Sequence, residues 1–159
     1  MVEPQVHIVG PSLQRSAEVE ALLRTLPAWF GIEESLRMYA ADSATKPTFA
    51  AQRHDELFGF ITLTRHFPQA WEVHCMAVGA AHRHRGIGSK LLRHAEQYVR
   101  GQGGRLLQVK TVAEPDPDAA YAQTRRFYEA MGFTPVEIFP TLWDPENPAL
   151  QLIKWLGDD

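Results

Sequence analysis

A single cysteine, Cys75, in a chain of 159 residues leaves no partner for an internal disulfide, so the fold has to be held by its core. That economy fits a reducing compartment. No apolar run approaches the roughly 18 residues that would suggest a membrane span. Glu3 and Pro4, directly after Met1, do not give the basic start and apolar block of a signal peptide, so the chain is expected in the cytoplasm. A large excess of either charge is missing too, with 16 Lys and Arg against 19 Asp and Glu. The net charge of −3 offers no chain-wide basic surface for nucleic acid. Neither H-E-x-x-H nor C-x-x-C occurs, and His74, His82 and His84 do not form a ligand motif, so no metal is expected. Repeats, low-complexity tracts and interdomain linkers are missing as well. What remains is ordinary for a globular protein, 45% hydrophobic and 22% charged, with a length that suits one domain, residues 1–159, able to bury a core without staples.

Hydrophobic periodicity divides that domain into alternating elements. Val6 to Val9 reads as a short first strand, and Val19, Leu22, Leu23 and Leu26 recur at helical spacing before Pro27. A second helix follows Gly31, with Ile32, Leu36, Tyr39 and Ala40 on one face. Thr48 to Arg53 and Leu57 to Thr64, rich in β-branched and aromatic residues around the polar His54-Asp55-Glu56, read as a hairpin. Trp71 to Val78 is a fourth strand. Ile87, Leu91, Leu92, Ala95 and Val99 give a helical stripe that Gly101, Gly103 and Gly104 stop, and Arg105 to Val112 is a buried strand. After the breaker loop Glu114-Pro115-Asp116-Pro117-Asp118, a helix carries Ala120, Thr124, Phe127 and Met131 up to Gly132. Phe133 to Ile138 and Leu150 to Trp155 close the chain as strands, and their connection, with Pro140, Pro145 and Pro148, is long for a hairpin. The order of elements predicts an α+β or α/β domain with a mixed sheet.

The stretch Arg83-His84-Arg85-Gly86-Ile87-Gly88-Ser89 joins the fourth strand to the helix with the strongest stripe. N–H groups at a helix start lack intrahelical partners, the helix dipole adds partial positive charge, and glycines let an anion approach the main chain. Arg83, Arg85 and Lys90 add full charges. The position reads as a pyrophosphate cradle. It is not a P-loop, since His84 stands where a second glycine would follow Gly79, and it is not a dinucleotide fingerprint, since Leu91 takes the place of the third glycine counted from Gly86.

Arg-x-x-Gly-x-Gly after a strand ending in Met76-Ala77-Val78 resembles the coenzyme A loop of the GNAT superfamily of acyl-CoA-dependent N-acetyltransferases. Phe127-Tyr128-Glu129-Ala130-Met131-Gly132-Phe133 is similar to that family's closing helix and the strand after it. Ala80 and His84 stand where the family often has Pro and Gly, and Tyr121 where it often has Asn. The resemblance implies a central mixed sheet flanked by helices and splayed between strands four and five. It also implies acetyl-CoA as the acyl donor, held by Met76, Ala77, Val78, Arg83, His84, Arg85, Gly86, Ile87, Gly88 and Ser89. The acetyl group would pass to a primary amine of a small molecule or peptide by direct attack in a ternary complex. A non-catalytic module that binds or senses acyl-CoA is the alternative.

Such a transfer needs a neutral amine, a donor for the carbonyl oxygen and a proton for the departing thiolate. Strand alternation puts Glu72, His74, Met76 and Val78 on one face and Cys75 on the other, which disfavours a Cys-His nucleophile. Glu72 and His74 fall where related enzymes place a base or a base-bound water, and the choice among Glu72, His74 and water stays open. By the same resemblance the N–H of Met76 meets the carbonyl, Val78 lends its backbone to the pantetheine arm, and Tyr128 faces the sulfur. Trp29, Phe30, Tyr39, Phe67 and Trp143 are the aromatics expected to wall an acceptor pocket. Glu33, Glu34, Glu114, Asp116, Asp118, Asp144 and Glu146 make the same regions acidic, as a cationic amine would favour. Nucleic acid and membrane are not expected as partners, and the resemblance leaves room for a homodimer.

Overall fold

The computed structural model describes residues 5–113 and 119–157. In chain order the elements are β1 (His7–Val9), α1 (Ser16–Arg24), α2 (Glu33–Asp42), β2 (Thr48–Arg53), β3 (Glu56–Phe67), β4 (Ala70–Val78), a 3₁₀ turn (Ala80–His82), α3 (Ile87–Gly101), β5 (Leu106–Val112), α4 (Ala119–Ala130), β6 (Thr134–Asp144) and β7 (Asn147–Trp155). The strands form one mixed sheet in the order β1-β2-β3-β4-β5-β7-β6. β4 and β5 pair in parallel, from Ala70↔Leu106 to Val73↔Val109, whereas β1–β2, β2–β3, β5–β7 and β6–β7 are antiparallel. Among the described residues no helix is long and apolar enough to cross a membrane. By contacts the chain gathers into two compact units, one running up to Thr64 and including His74–Tyr98, the other made of Arg65–Val73 and the residues from Val99 on.

The first unit holds β1, β2, α1, α2 and most of β3, β4 and α3. Its core joins Val19, Leu22, Leu23 and Leu26 with Leu36 and Ala40 of α2 and with Ala50, Phe60, Cys75 and Ala77 of the strands. Ile32, expected on the buried face of α2, instead precedes the helix as its cap and is 63% exposed, because the buried stripe is carried by Leu36 and Ala40 alone. The stripe of α3 is buried at all five expected positions. Gly59 on β3 makes room for it. A Cβ there would lie 2.8 Å from the Ala77 carbonyl oxygen and 3.3 Å from Leu91, so only glycine lets that leucine seat against the strands.

In the second unit β7 pairs β5 along its whole length, from Leu106↔Trp155 to Val112↔Ala149, and β6 forms the outer edge. Two expectations need correction. The long proline-bearing connection is not a loop, since β6 runs to Asp144 and β7 starts at Asn147. Pro135 and Pro140 sit on the edge strand, where a missing N–H need not break a ladder. Pro145 lies inside a tight turn in which Asp144 Oδ1 accepts from the N–H groups of Glu146 and Asn147, both at 2.9 Å. On α4 the expected stripe of Ala120, Thr124, Phe127 and Met131 is rotated. Among the described side chains of α4 the buried ones are Arg125 and Tyr128, because the Arg125 guanidinium reaches the Val112 carbonyl at 2.6 Å and draws that face against β5.

Candidate active site

The segment after β4 is shaped by its backbone. Gly79 N–H donates to the Phe58 carbonyl at 2.8 Å and prolongs the strand by one residue before the 3₁₀ turn. His84 (φ +63°) and Gly86 (φ +77°) then take left-handed conformations that turn the chain into α3. A side chain built at Gly86 would meet nothing within 4 Å, so the main chain there faces open space. The first helical bond is Lys90 N–H to the Gly86 carbonyl. The N–H groups of Ile87, Gly88 and Ser89 therefore precede the intrahelical ladder at the positive end of a 15-residue helix.

The cations around this loop are not equivalent. Arg85 is exposed. Arg83 lies over the Trp29 ring at 4.2 Å, and burial lowers its pKa from the ordinary value. Lys90, expected to charge the cradle, instead donates its ammonium to the Val6 carbonyl at 2.7 Å. Ala77 and Ile87 have their side chains in the core, at 7% and 4% exposure, so both can offer a ligand only main-chain groups. Met76, Val78, Gly88 and Ser89 are half-buried, and His84 is exposed.

On β4 burial alternates as expected: Trp71, Val73, Cys75 and Ala77 are buried, while Glu72, His74, Met76 and Val78 share a half-buried face. The two candidate bases stand in different surroundings. Within the second unit, Glu72 receives His66 Nε2 at 2.6 Å and Gln108 at 3.2 Å on one oxygen and Lys110 Nζ at 3.0 Å on the other. Burial pushes its pKa up, but the bonds from His66, Lys110 and Gln108 outweigh it and hold the carboxyl below the usual range. Within the first unit, His74 Nε2 lies 2.8 Å from Asp42 Oδ2, and the ring meets Tyr39 edge-on at 5.3 Å. Burial pushes the Cys75 thiol far up, and the charge of Asp42 adds to the effect, so this sulfur is a poor nucleophile.

Of the expected pocket aromatics, three come together. Trp29, Phe30 and Tyr39 pack at the margin of the first unit's core, Phe30 meets Tyr39 edge-on at 5.9 Å, and Tyr39 meets His74. Phe67 and Trp143 belong to the second unit and are 71% and 47% exposed. Tyr128 is buried at 4% exposure with its ring edge-on to Phe127 at 5.2 Å and to Phe133 at 5.4 Å. Glu33 does not act as a free acidic lure, because Arg24 and Arg37 bond it and bring its pKa down to about 2. Glu114, Asp116 and Asp118 lie outside the described residues. Among the described residues no group of three or more His, Cys, Asp or Glu side chains could hold a metal ion. Asp42 was missed in the sequence because nothing local marks a contact 32 residues from its partner.

The sequence model for the acetyltransferase (GNAT) family matches residues 17–133. A mycothiol acetyltransferase of Corynebacterium glutamicum (strain R) is 30% identical over 83 residues, 52% of this chain and 26% of that protein, so the chain aligns with about a quarter of that relative's length. Among solved structures, a protein from Desulfovibrio desulfuricans assigned to the GNAT family superposes with a TM-score of 0.85 at 21% identity, over 96% of this chain and 100% of the other. An aminoglycoside 6'-N-acetyltransferase complexed with coenzyme A gives a TM-score of 0.75 at 21% identity, over 96% and 98% of the two chains. At these identities the likeness is one of fold.

Proposed function

The chain belongs to the GNAT acetyltransferase family, and from that membership we propose that it moves an acetyl group from acetyl-CoA to a primary amine of a small molecule or peptide by direct attack in a ternary complex. The observation that carries this reading is the start of α3: three N–H groups ahead of the helical ladder, beside a glycine whose surroundings are open. That arrangement fits a pyrophosphate, which needs main-chain donors and close approach rather than a charged side chain. Acetyl-CoA would supply an activated thioester.

The residues divide the remaining work. Trp29, Phe30 and Tyr39 line the acceptor's approach to His74, and Nδ1 of His74 takes the proton that the amine sheds on attack. Glu72, bonded to Lys110 and His66, holds its place as an anion and does not compete as the base. The N–H of Met76 polarises the carbonyl, and Tyr128 gives a proton to the departing thiolate. The buried thiol of Cys75 favours direct attack over an acyl-enzyme.

The test is the release of thiol from acetyl-CoA against a panel of polyamines, aminoglycosides, amino acids and peptides with free N-termini. Intersecting initial-velocity lines are expected with at least one acceptor. Parallel lines would overturn the ternary complex. Tight coenzyme A binding without turnover on any amine would turn the reading into that of a binding module.

A further inference from the structure

We propose that Asp42 is a positioning residue for His74: its carboxylate takes the ring Nε2–H and so leaves the lone pair on Nδ1, the nitrogen offered to the acceptor amine. The inference rests on the acyl-transfer reading above. Its basis is the pair's geometry. Asp42 Oδ2 and His74 Nε2 are 2.8 Å apart, with the side chains 26% and 22% exposed. A carboxylate accepts and cannot donate, so the proton of this bond sits on Nε2 and the tautomer follows. Among the described residues His74 Nδ1 has no hydrogen-bond partner, and no lysine or arginine pairs with Asp42.

The location of Asp42 strengthens the case. It is the last residue of α2, where the helix dipole disfavours a negative charge, and the last turn of α2 holds no basic residue to offset it. A carboxylate kept there without a cation is held by the ring N–H that His74 donates to it. Tyr39 stands three residues earlier on the same helix and meets the His74 ring edge-on at 5.3 Å, while Phe30 meets Tyr39 edge-on at 5.9 Å. One helix thus supplies both the bond that sets the tautomer and the contact that sets the ring plane. A pin that merely tied α2 to β4 would need the bond alone and not the ring contact.

The experiment uses the full chain with ¹⁵N-labelled histidine, His74 being assigned by its loss in His74→Gln. Wild type should show the Nε2–H tautomer at His74, and Asp42→Ala should shift it to Nδ1–H or to a mixture. With an accepted amine, Asp42→Asn and Asp42→Ala should lower kcat about tenfold or more with the KM for acetyl-CoA unchanged. Asp42→Ala added to His74→Gln should cost nothing further, because the two act as a unit. An Nδ1–H tautomer in wild type, a kcat within twofold of wild type in both Asp42 variants, or full additivity in the double variant would overturn the proposal. Should Asp42→Ala fail to fold, the wild-type spectrum and Asp42→Asn still decide it. If wild type acetylates no amine, the acyl-transfer reading fails separately, and the spectra still report whether Asp42 sets the ring.

Discussion

Glu72 and His74 are two residues apart on one strand, and their neighbours give them opposite properties. Three donors hold Glu72 as an anion, whereas His74 keeps one ring nitrogen available. The folded pKa of Glu72 lies below its ordinary value of 4.5, so its stabilisation is complete above that value and is lost as pH falls below it. Glu72→Gln should therefore cost about 1–3 kcal/mol near pH 7 and markedly less near pH 3, read from urea unfolding of both proteins at each pH. A gap that does not narrow with acid would contradict the ion cluster. Tyr128→Phe keeps the ring between Phe127 and Phe133 and removes only the hydroxyl. A loss in kcat of about 10²-fold with unchanged coenzyme A affinity is expected, and normal turnover would remove the acid role. The alternation of β4 and the exclusion of Cys75 were legible in the letters, since both follow from a period of two. The bonds to Glu72 were not, because they arrive from β3 and β5, and no local pattern announces which long side chains will converge.

At the level of elements, the turn into α3 concentrates the unusual backbone: two left-handed residues, one of them a histidine, within three positions. Gly86→Val should weaken coenzyme A binding by about tenfold or more, as β-branched residues resist φ +77° and the new side chain would fill the open approach. Arg83→Ala should do less, because that guanidinium already rests on Trp29. Calorimetric titration of folded variants ranks the two, and a reversed order would shift the cradle from main chain to side chain. The stripe of α3 was readable because five apolar residues fall on one face and each is buried. The β6–β7 hairpin was not, since Pro140, Pro145 and Pro148 read as a long connection, whereas Pro140 sits on the edge strand, Pro145 in the turn and Pro148 at the start of β7. Asp-Pro-Glu-Asn at 144–147 was the available signal, a turn in which Asp144 bonds the next two residues' N–H groups.

For the molecule as a whole, a ligand that binds only the folded state raises stability by mass action. Acetyl-CoA at 100 times its Kd should add about 2.7 kcal/mol, which for a chain of this size is a rise in Tm of roughly 5–10 °C by calorimetry. No rise at saturating acetyl-CoA would remove the donor assignment, whatever the acceptor is. Cys75 offers a second measurement over the same whole. As the chain's single sulfhydryl, sealed at 7% exposure, it should not colour a disulfide dye while the protein is folded. The enzyme's own blank in a thiol-release assay should then be close to zero. Over hours the same silence becomes a clock: each molecule that reacts has first opened its core, so the labelling rate counts openings, and saturating acetyl-CoA should slow it.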